Sequence, residues 1–293
     1  MKKAICILNA YKILAPLQHF ADRMKEELKA FDIELIIKNN SELFSFLDNH
    51  LNYTPLKEKY LFGLYLDKDT HVAKALEHNG LRLFNSEEAI RLCDDKALTY
   101  EALVGTNINV PKTIFGPLNY SQNISLPFIE RVEEELKYPL VGKEVYGSMG
   151  NNVYLLKNRK EFEEFEFIHR YNPRIYQEFI ETSYGVDYRL IVIGGKFVAA
   201  MKRVNDTGDF RSNLARGGRG LPFNPPLSYI ETAEKVCRAL KLDYAGVDLL
   251  EGRNKEPVLS EVNSNAFVTG IEETTGINVC RLYAEYIVKT LDL

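Results

Sequence analysis

Tryptophan is absent from this 293-residue chain, histidine occurs five times and cysteine four times. Cys6, Cys93, Cys237 and Cys280 lie far apart, without the paired spacing of a zinc site or the density of a disulfide scaffold. They read as buried or free thiols of a reducing cytoplasm. The histidines are equally dispersed and give no support to a His-based metal or nucleophile site. No apolar run reaches membrane-spanning length. Met1-Lys2-Lys3 ahead of residues 4–8 has the charge order of a signal peptide, but the apolar run is short and Asn9, Tyr11 and Lys12 interrupt it. A first β-strand is the expectation. A strong charge of either sign is missing too: the net charge of −4 argues against a dedicated nucleic-acid binder. Neither a glycine-rich dinucleotide fingerprint nor the Gly-Lys-Ser/Thr ending of a Walker A loop occurs.

What remains is the composition of a globular protein, 45% hydrophobic and 27% charged, long enough for one large or two to three small domains. Up to about residue 92, short apolar runs at 4–8, 34–37 and 61–66 suit buried strands. Leu17, Phe20, Ala21, Met24, Leu28 and Phe31 recur at helical spacing between the first two. Further helices are expected over 71–78 and after Asn85-Ser86, so this part reads as a small open α/β sheet. Residues 107–126, rich in Pro, Gly, Asn and Ser, read as loops around short strands. Then come a helix over 128–137, a strand over 138–143, a helix over 161–170 and a strand over 174–180. Gly194-Gly195 turns a hairpin between strands 186–193 and 196–204. Ser228 with Glu231 reads as a capping box for a helix whose core face is Ile230, Ala233, Val236, Cys237 and Leu240. A docked helix over 277–291 closes the chain.

The densest chemistry lies in two apolar runs, 246–250 and 258–262, separated by the polar turn Gly252 to Glu256. A symmetric turn centred between Asn254 and Lys255 places Asp248 opposite Glu261, and Asn263 emerges on the same face two residues on. Three oxygen donors on one face suit a hard divalent cation such as Mg²⁺, while a solvated polar face is the plain alternative. Lys143 ends a buried strand beside Gly147-Ser148-Met149-Gly150, where glycines let backbone N–H groups approach phosphate and the ammonium offsets its charge. A bare turn is the alternative there, as an ordinary solvated lysine is for Lys96 at the start of a helix through Leu103. A tight Gly194-Gly195 turn pairs Asp187 with Lys202, which puts Asp187 and Arg203 on opposite faces unless a bulge or a strong twist intervenes.

The order of these motifs resembles the ATP-grasp fold, and specifically the RimK-type carboxylate–amine ligases. The residues that carry the resemblance are Tyr176-Gln177-Glu178-Phe179-Ile180, Gly185-Val186-Asp187-Tyr188-Arg189, Asp209-Phe210-Arg211-Ser212-Asn213 with Gly217-Gly218, and the Asp248/Glu261/Asn263 hairpin. It extends from about Asp94 to the C-terminus. It implies an α/β (α+β) architecture: an open α/β domain over 1–92, then a two-subdomain ATP-grasp domain over 93–293, divided near 180/181. It implies ATP with Mg²⁺, or Mn²⁺ in its place, held by Asp248, Glu261 and Asn263. Lys96, Lys143 and the mobile lid Gly147, Ser148 and Gly150 would meet the phosphates. Gln177, Glu178, Phe179 and Ile180 would meet the adenine, and Asp187, or alternatively Glu181, the ribose. Arg203, Arg211 and Asn213 would serve the γ-phosphate and an acyl phosphate. Glu144, where many relatives have proline, and Asn151-Asn152, in place of a further glycine, are departures that bear on the lid. The implied activity is ATP-dependent amide formation between a carboxylate and an amine in a cytoplasmic enzyme, open to homo-oligomer formation, with no membrane or nucleic-acid partner. A small-molecule kinase and a non-catalytic nucleotide-binding regulator are the rivals.

Overall fold

The computed structural model describes residues 2–43 and 47–293. Three sheets organise them. The first is built from β1 (Lys2–Leu8), α1 (Ala15–Lys29), β2 (Ile33–Asn39), β3 (Gly63–Tyr65), α2 (Thr70–His78) and β4 (Leu83–Phe84). Its strands are parallel in the order β2-β1-β3-β4. Ala4 to Leu8 are buried on both faces of β1, which is why this strand reads as an uninterrupted apolar run. Phe20, Ala21, Met24 and Leu28 form the buried stripe of α1, and Asp69 caps α2 by accepting from the His71 and Val72 N–H groups.

Two short helices lead out of this sheet. Ser86 Oγ caps α3 (Glu87–Asp94), and the Asp95 carboxylate caps α4 (Lys96–Ala102) through the Ala97 and Leu98 N–H groups. The second cap fixes Lys96 as the first helical residue, so its side chain leaves the helix at a defined angle. The second sheet follows, with β5 (Thr113–Phe115), α5 (Leu126–Leu136), β6 (Leu140–Glu144), β7 (Val153–Leu156), α6 (Arg159–His169) and β8 (Arg174–Glu178). Its order is β5-β8-β6-β7, antiparallel throughout, with α5 and α6 packed on it around Phe162, Phe165 and Tyr176.

The third sheet contains β9 (Val186–Ile193), β10 (Lys196–Val204), β11 (Arg219–Pro222), α7 (Leu227–Ala239), β12 (Tyr244–Glu251) and β13 (Pro257–Asn263), in the order β11-β10-β9-β12-β13. The helix α7 covers one face through Ala233, Val236, Cys237 and Leu240, while Ile230 is only half-buried. The expected capping box does not form. Pro226 is the N-cap residue and no side chain caps the helix, so Ser228 and Glu231 fall inside its first turns. The helices α8 (Thr269–Thr275) and α9 (Val279–Thr290) complete the chain. One apolar cluster joins Phe20 and Met24 of α1 to Tyr244, Tyr283 and Ile287, so the first and third sheets share a core. No helix among the described residues is long and apolar enough to cross a membrane, and the four cysteines are free and buried.

Candidate active site

Two bulges aim the charged side chains of the third sheet. In the β9–β10 hairpin, Phe197 faces Val192 but Ala199 faces Ile191, so Val198 is the extra residue and Arg203 comes opposite Asp187. This is the interruption that an ideal ladder lacked. Arg203 Nε and Nη2 donate to the two Asp187 oxygens at 2.6 and 2.5 Å. In the β12–β13 hairpin the pairs Glu251–Pro257, Leu250–Val258 and Leu249–Leu259 are symmetric about Asn254, not about the Asn254–Lys255 bond. A bulge at Ser260 then shifts the register, and Asp248 does face Glu261, by a different route from the one expected.

An alternating chain of charge runs across β9, β10 and β12. Arg189 Nε and Nη2 donate to Asp248 Oδ1 and Oδ2 at 2.8 and 2.7 Å. Arg203 Nη2 lies 2.9 Å from Asp248 Oδ2. Asn263 Nδ2 is 3.3 Å from the same oxygen. Burial pushes the Asp248 carboxyl up, but the two guanidinium groups outweigh it and hold it below the usual carboxylate range. Burial likewise works against charge on Arg203, and Asp187 and Asp248 outweigh it. Arg189 was absent from the expected site. Its signal was present: it stands two residues after Asp187, and so on the same face of β9.

The lysines come from the other half of the site. Lys143, on β6, is buried and has no salt-bridge partner among the described residues. Burial, reinforced by the neighbouring Lys96 charge and opposed by Glu261, brings its pKa down to about 8. Lys96 Nζ donates to the Gly147 carbonyl at 3.1 Å and lies 3.7 Å from Glu261 Oε1. It thus ties the root of the glycine loop to β13.

That loop, between β6 and β7, is held down from across the site. Arg211 Nη1 donates to the Gly150 and Val153 carbonyls at 3.0 and 3.1 Å, and Arg216 reaches Met149 O and Asn151 Oδ1. Gly150 has φ +70°, and a Cβ there would stand 2.5 Å from Asn213 Oδ1. Asn152 takes φ 58°, supplying as an asparagine the left-handed turn a glycine would have given. Glu144 accepts from Asn152 and Asn172 and pairs with His169 Nδ1 at 2.6 Å, which anchors the loop's base.

Two spaces meet here. A narrow slot of about 100 Å³ runs from Lys96, Lys143 and Gly150 past Asp187 and Asp248 to an apolar end at Val141, Phe179, Ile180, Phe210 and Leu250. Gln177 Oε1 lies buried against this slot with no hydrogen-bond partner among the described residues. The Glu178 N–H bonds the Lys112 carbonyl and its carboxylate accepts from the Lys112 N–H at 2.8 Å. A second cleft of about 830 Å³ opens between the C-terminal ends of β1 and β3, at Asn9 and Asp67, and the third sheet. Gly147 and Ser148 line this cleft and not the slot, whereas Arg203, Asn213 and Glu261 line both.

Residues 93–287 match the family model of the RimK-like ATP-grasp domain. The chain belongs to the RimK-like ATP-grasp family. Like other members, it is an ATP-dependent ligase that joins a carboxylate to an amine. It is 31% identical over 278 residues to an uncharacterized protein, the MG012 homolog, of Mycoplasma pneumoniae, covering 92% of this chain and 93% of that one. It is 34% identical over 222 residues to a probable alpha-L-glutamate ligase of Syntrophotalea carbinolica, covering 75% and 71%. The fold is shared with the ATP-grasp ligase PsnB, solved in complex with a phosphomimetic variant of its minimal precursor, Mg and ADP. There the TM-score is 0.69 at 14% identity, over 99% of this chain and 98% of that one.

Proposed function

We propose that the slot holds ATP, that the cleft holds the carboxylate and amine substrates, and that phosphoryl transfer occurs where the two meet. The observation that carries this reading is the shared wall of Arg203, Asn213 and Glu261. Residues 93–180 and 181–293 act as the two ATP-grasp subdomains, and residues 1–92, with their own sheet, as a separate domain that forms the far side of the cleft.

The residues suit the nucleotide. Phe179, Ile180, Phe210 and Leu250 offer an apolar bed for adenine, and the orphaned Gln177 Oε1 is an acceptor for its amino group. Since the Glu178 N–H and carboxylate are already engaged, Phe179 and Ile180 supply the backbone contacts. Asp187 is the ribose ligand once Arg203 releases it. Lys96, Lys143 and the loop Gly147, Ser148 and Gly150 receive the phosphates, with Arg203, Arg211 and Asn213 around the γ-phosphate.

Asp248, Glu261 and Asn263 fit Mg²⁺ by donor chemistry: two carboxylates face one another across a ladder, with an amide beside them. When bound there, Mg²⁺ or Mn²⁺ would offset charge on the transferring phosphoryl oxygens. The protein's own task is positioning. A substrate carboxylate oxygen attacks the γ-phosphorus, the bond to the β–γ bridging oxygen breaks, and ADP leaves. A neutral amine then attacks the acyl-phosphate carbonyl and expels phosphate, the nitrogen proton passing to water or to the departing phosphate. The cleft is far larger than one amino acid requires, which favours a peptide or conjugated carboxylate as acceptor. Glutamate heads the panel of amines, since the named Syntrophotalea relative is a probable glutamate ligase. Reduced, buried cysteines fit a cytoplasmic setting, and a homo-oligomer is part of the reading. Mg-ATP with pooled amino acids, peptides and carboxylates should release ADP and phosphate in equal amounts, with a product at the substrates' summed mass less water. A phosphoryl group retained on the substrate would mean a kinase.

A further inference from the structure

The chain of charge at the active site contains one cation that the nucleotide does not use. Lys96, Lys143 and Arg211 line only the slot, and Arg203 lines both spaces, but Arg189 lines only the cleft. Its partner Asp248 lines only the slot. The Arg189–Asp248 pair therefore forms the partition between the two, with the guanidinium on the cleft side. Asp248 takes the Nε and Nη2 donors of that guanidinium, and among the described residues Nη1 has no hydrogen-bond partner. The side chain keeps 12% of its surface exposed. A half-buried fork held in place by one carboxylate, with its other edge open to a substrate cleft, is arranged to take a second carboxylate.

The other cations of the cleft do not compete for that place. Lys68 is paired with Asp94, Lys12 sits on an exposed loop, and Arg203 is held by Asp248 and, on the reading above, committed to the γ-phosphate. Gly246, which Asn263 faces on β13, lets Ala266 and the Arg189 side chain pack close against the backbone, which fixes the guanidinium in place. A Cβ on it would stand 3.5 Å from Arg189 Nε and would meet Ala266 at 2.5 Å.

We propose that Arg189 binds the acceptor carboxylate. Its Nη1 edge holds one oxygen while the other oxygen turns towards the slot and attacks the γ-phosphorus, with ADP as leaving group. This rests on the ligase reading and names the residue that selects a carboxylate over a hydroxyl acceptor. Asp248 thus has two duties, towards the metal on one side and, as the group that orients Arg189, towards the acceptor on the other.

The test runs the first step in reverse on the full chain, with acetyl phosphate as the probe. Wild-type protein with MgADP and acetyl phosphate should form ATP and acetate, read by luciferase, and MgADP affinity and thermal midpoint are measured on every variant. Arg189→Met should lower kcat/KM for acetyl phosphate by about 10- to 100-fold, chiefly through KM. Its MgADP affinity should stay within about threefold of wild type, since Arg189 is outside the slot. Should Arg189→Met fail to fold, Arg189→Lys keeps a cation beside Asp248 but forfeits the fork, and the same selective loss is expected. An Arg189 variant that uses acetyl phosphate like wild type overturns the proposal. So does a parallel loss of MgADP affinity, which would make Arg189 a support for Asp248 alone. Wild-type protein that binds MgADP but makes no ATP from acetyl or carbamoyl phosphate contradicts the acyl-phosphate reading itself, and the proposal falls with it.

Discussion

Lys143 is buried with no carboxylate in salt-bridge range among the described residues, and the proposed reading makes it a receptor for phosphate. Its pKa in the free protein, about 8 against an ordinary 10.5, follows first from burial and then from the nearby Lys96 charge. A phosphate against it stabilises the charged form and raises the pKa again. Binding therefore takes up a proton near and above pH 8, and affinity, full below pH 8, falls as pH rises through it. Calorimetry of MgADP binding at pH 8.5 in two buffers of different ionisation enthalpy should show this uptake. Lys143→Arg, charged throughout, should abolish it; an unchanged uptake in that variant would remove Lys143 from the phosphate site. Gly150→Ala makes a second residue-level case. The added Cβ meets Asn213 Oδ1 and the φ of +70° disfavours alanine, at about 1 kcal/mol. Turnover should fall at least about tenfold while the thermal midpoint moves little. At this scale much was legible: acids, lysines and glycines announce themselves by residue type and strand position. Arg189 was given no role, although it stands two residues after Asp187, because strand position alone does not say what an arginine does until its carboxylate partner is located.

Among the elements, the β6–β7 loop and the two bulged hairpins set the geometry. The loop is clasped by Arg211 and Arg216 in a slot of about 100 Å³, below the roughly 300–1,000 Å³ usual for ligand pockets, so the proposed reading requires it to lift to admit ATP. Arg216→Ala removes two of these ties. Amide exchange over residues 147–152 should quicken severalfold, with β6 unchanged. Equal protection in the variant would show that the clasp does not hold the lid. Strand and helix positions were readable from apolar period, as for α1 and the β9–β10 pair. The Val198 bulge was legible only as a condition, from the mismatch between Asp187 and Arg203, and the Ser260 bulge was not, because a single extra residue leaves the apolar alternation locally plausible while moving every charge beyond it. The misread cap of α7 has a similar origin: Ser228 and Glu231 have the right spacing, but Pro226 starts the helix earlier.

For the whole molecule, the decisive feature is the core shared by the first and third sheets. Phe20 of α1 is fully buried with its ring centroid 5.3 Å from that of Tyr244 and 6.3 Å from that of Tyr283. Phe20→Ala should cost about 3–5 kcal/mol and lower the thermal midpoint of both regions together. Two separated unfolding transitions, only one of them shifted, would contradict the shared core. This docking closes the cleft by bringing Asn9 and Asp67 to face β9 and β13. The sequence pattern showed the two regions but could not show the docking, because the contacts join α1 to residues more than 200 positions away. The most direct measurement is mass-resolved product formation with Mg-ATP and mixed carboxylates and amines, comparing wild type with Glu261→Gln. The account predicts ADP, phosphate and an amide product in equal amounts from the wild type, and none from a variant that remains folded. An active Glu261→Gln enzyme, or ADP with the phosphoryl group kept on the substrate, would contradict it.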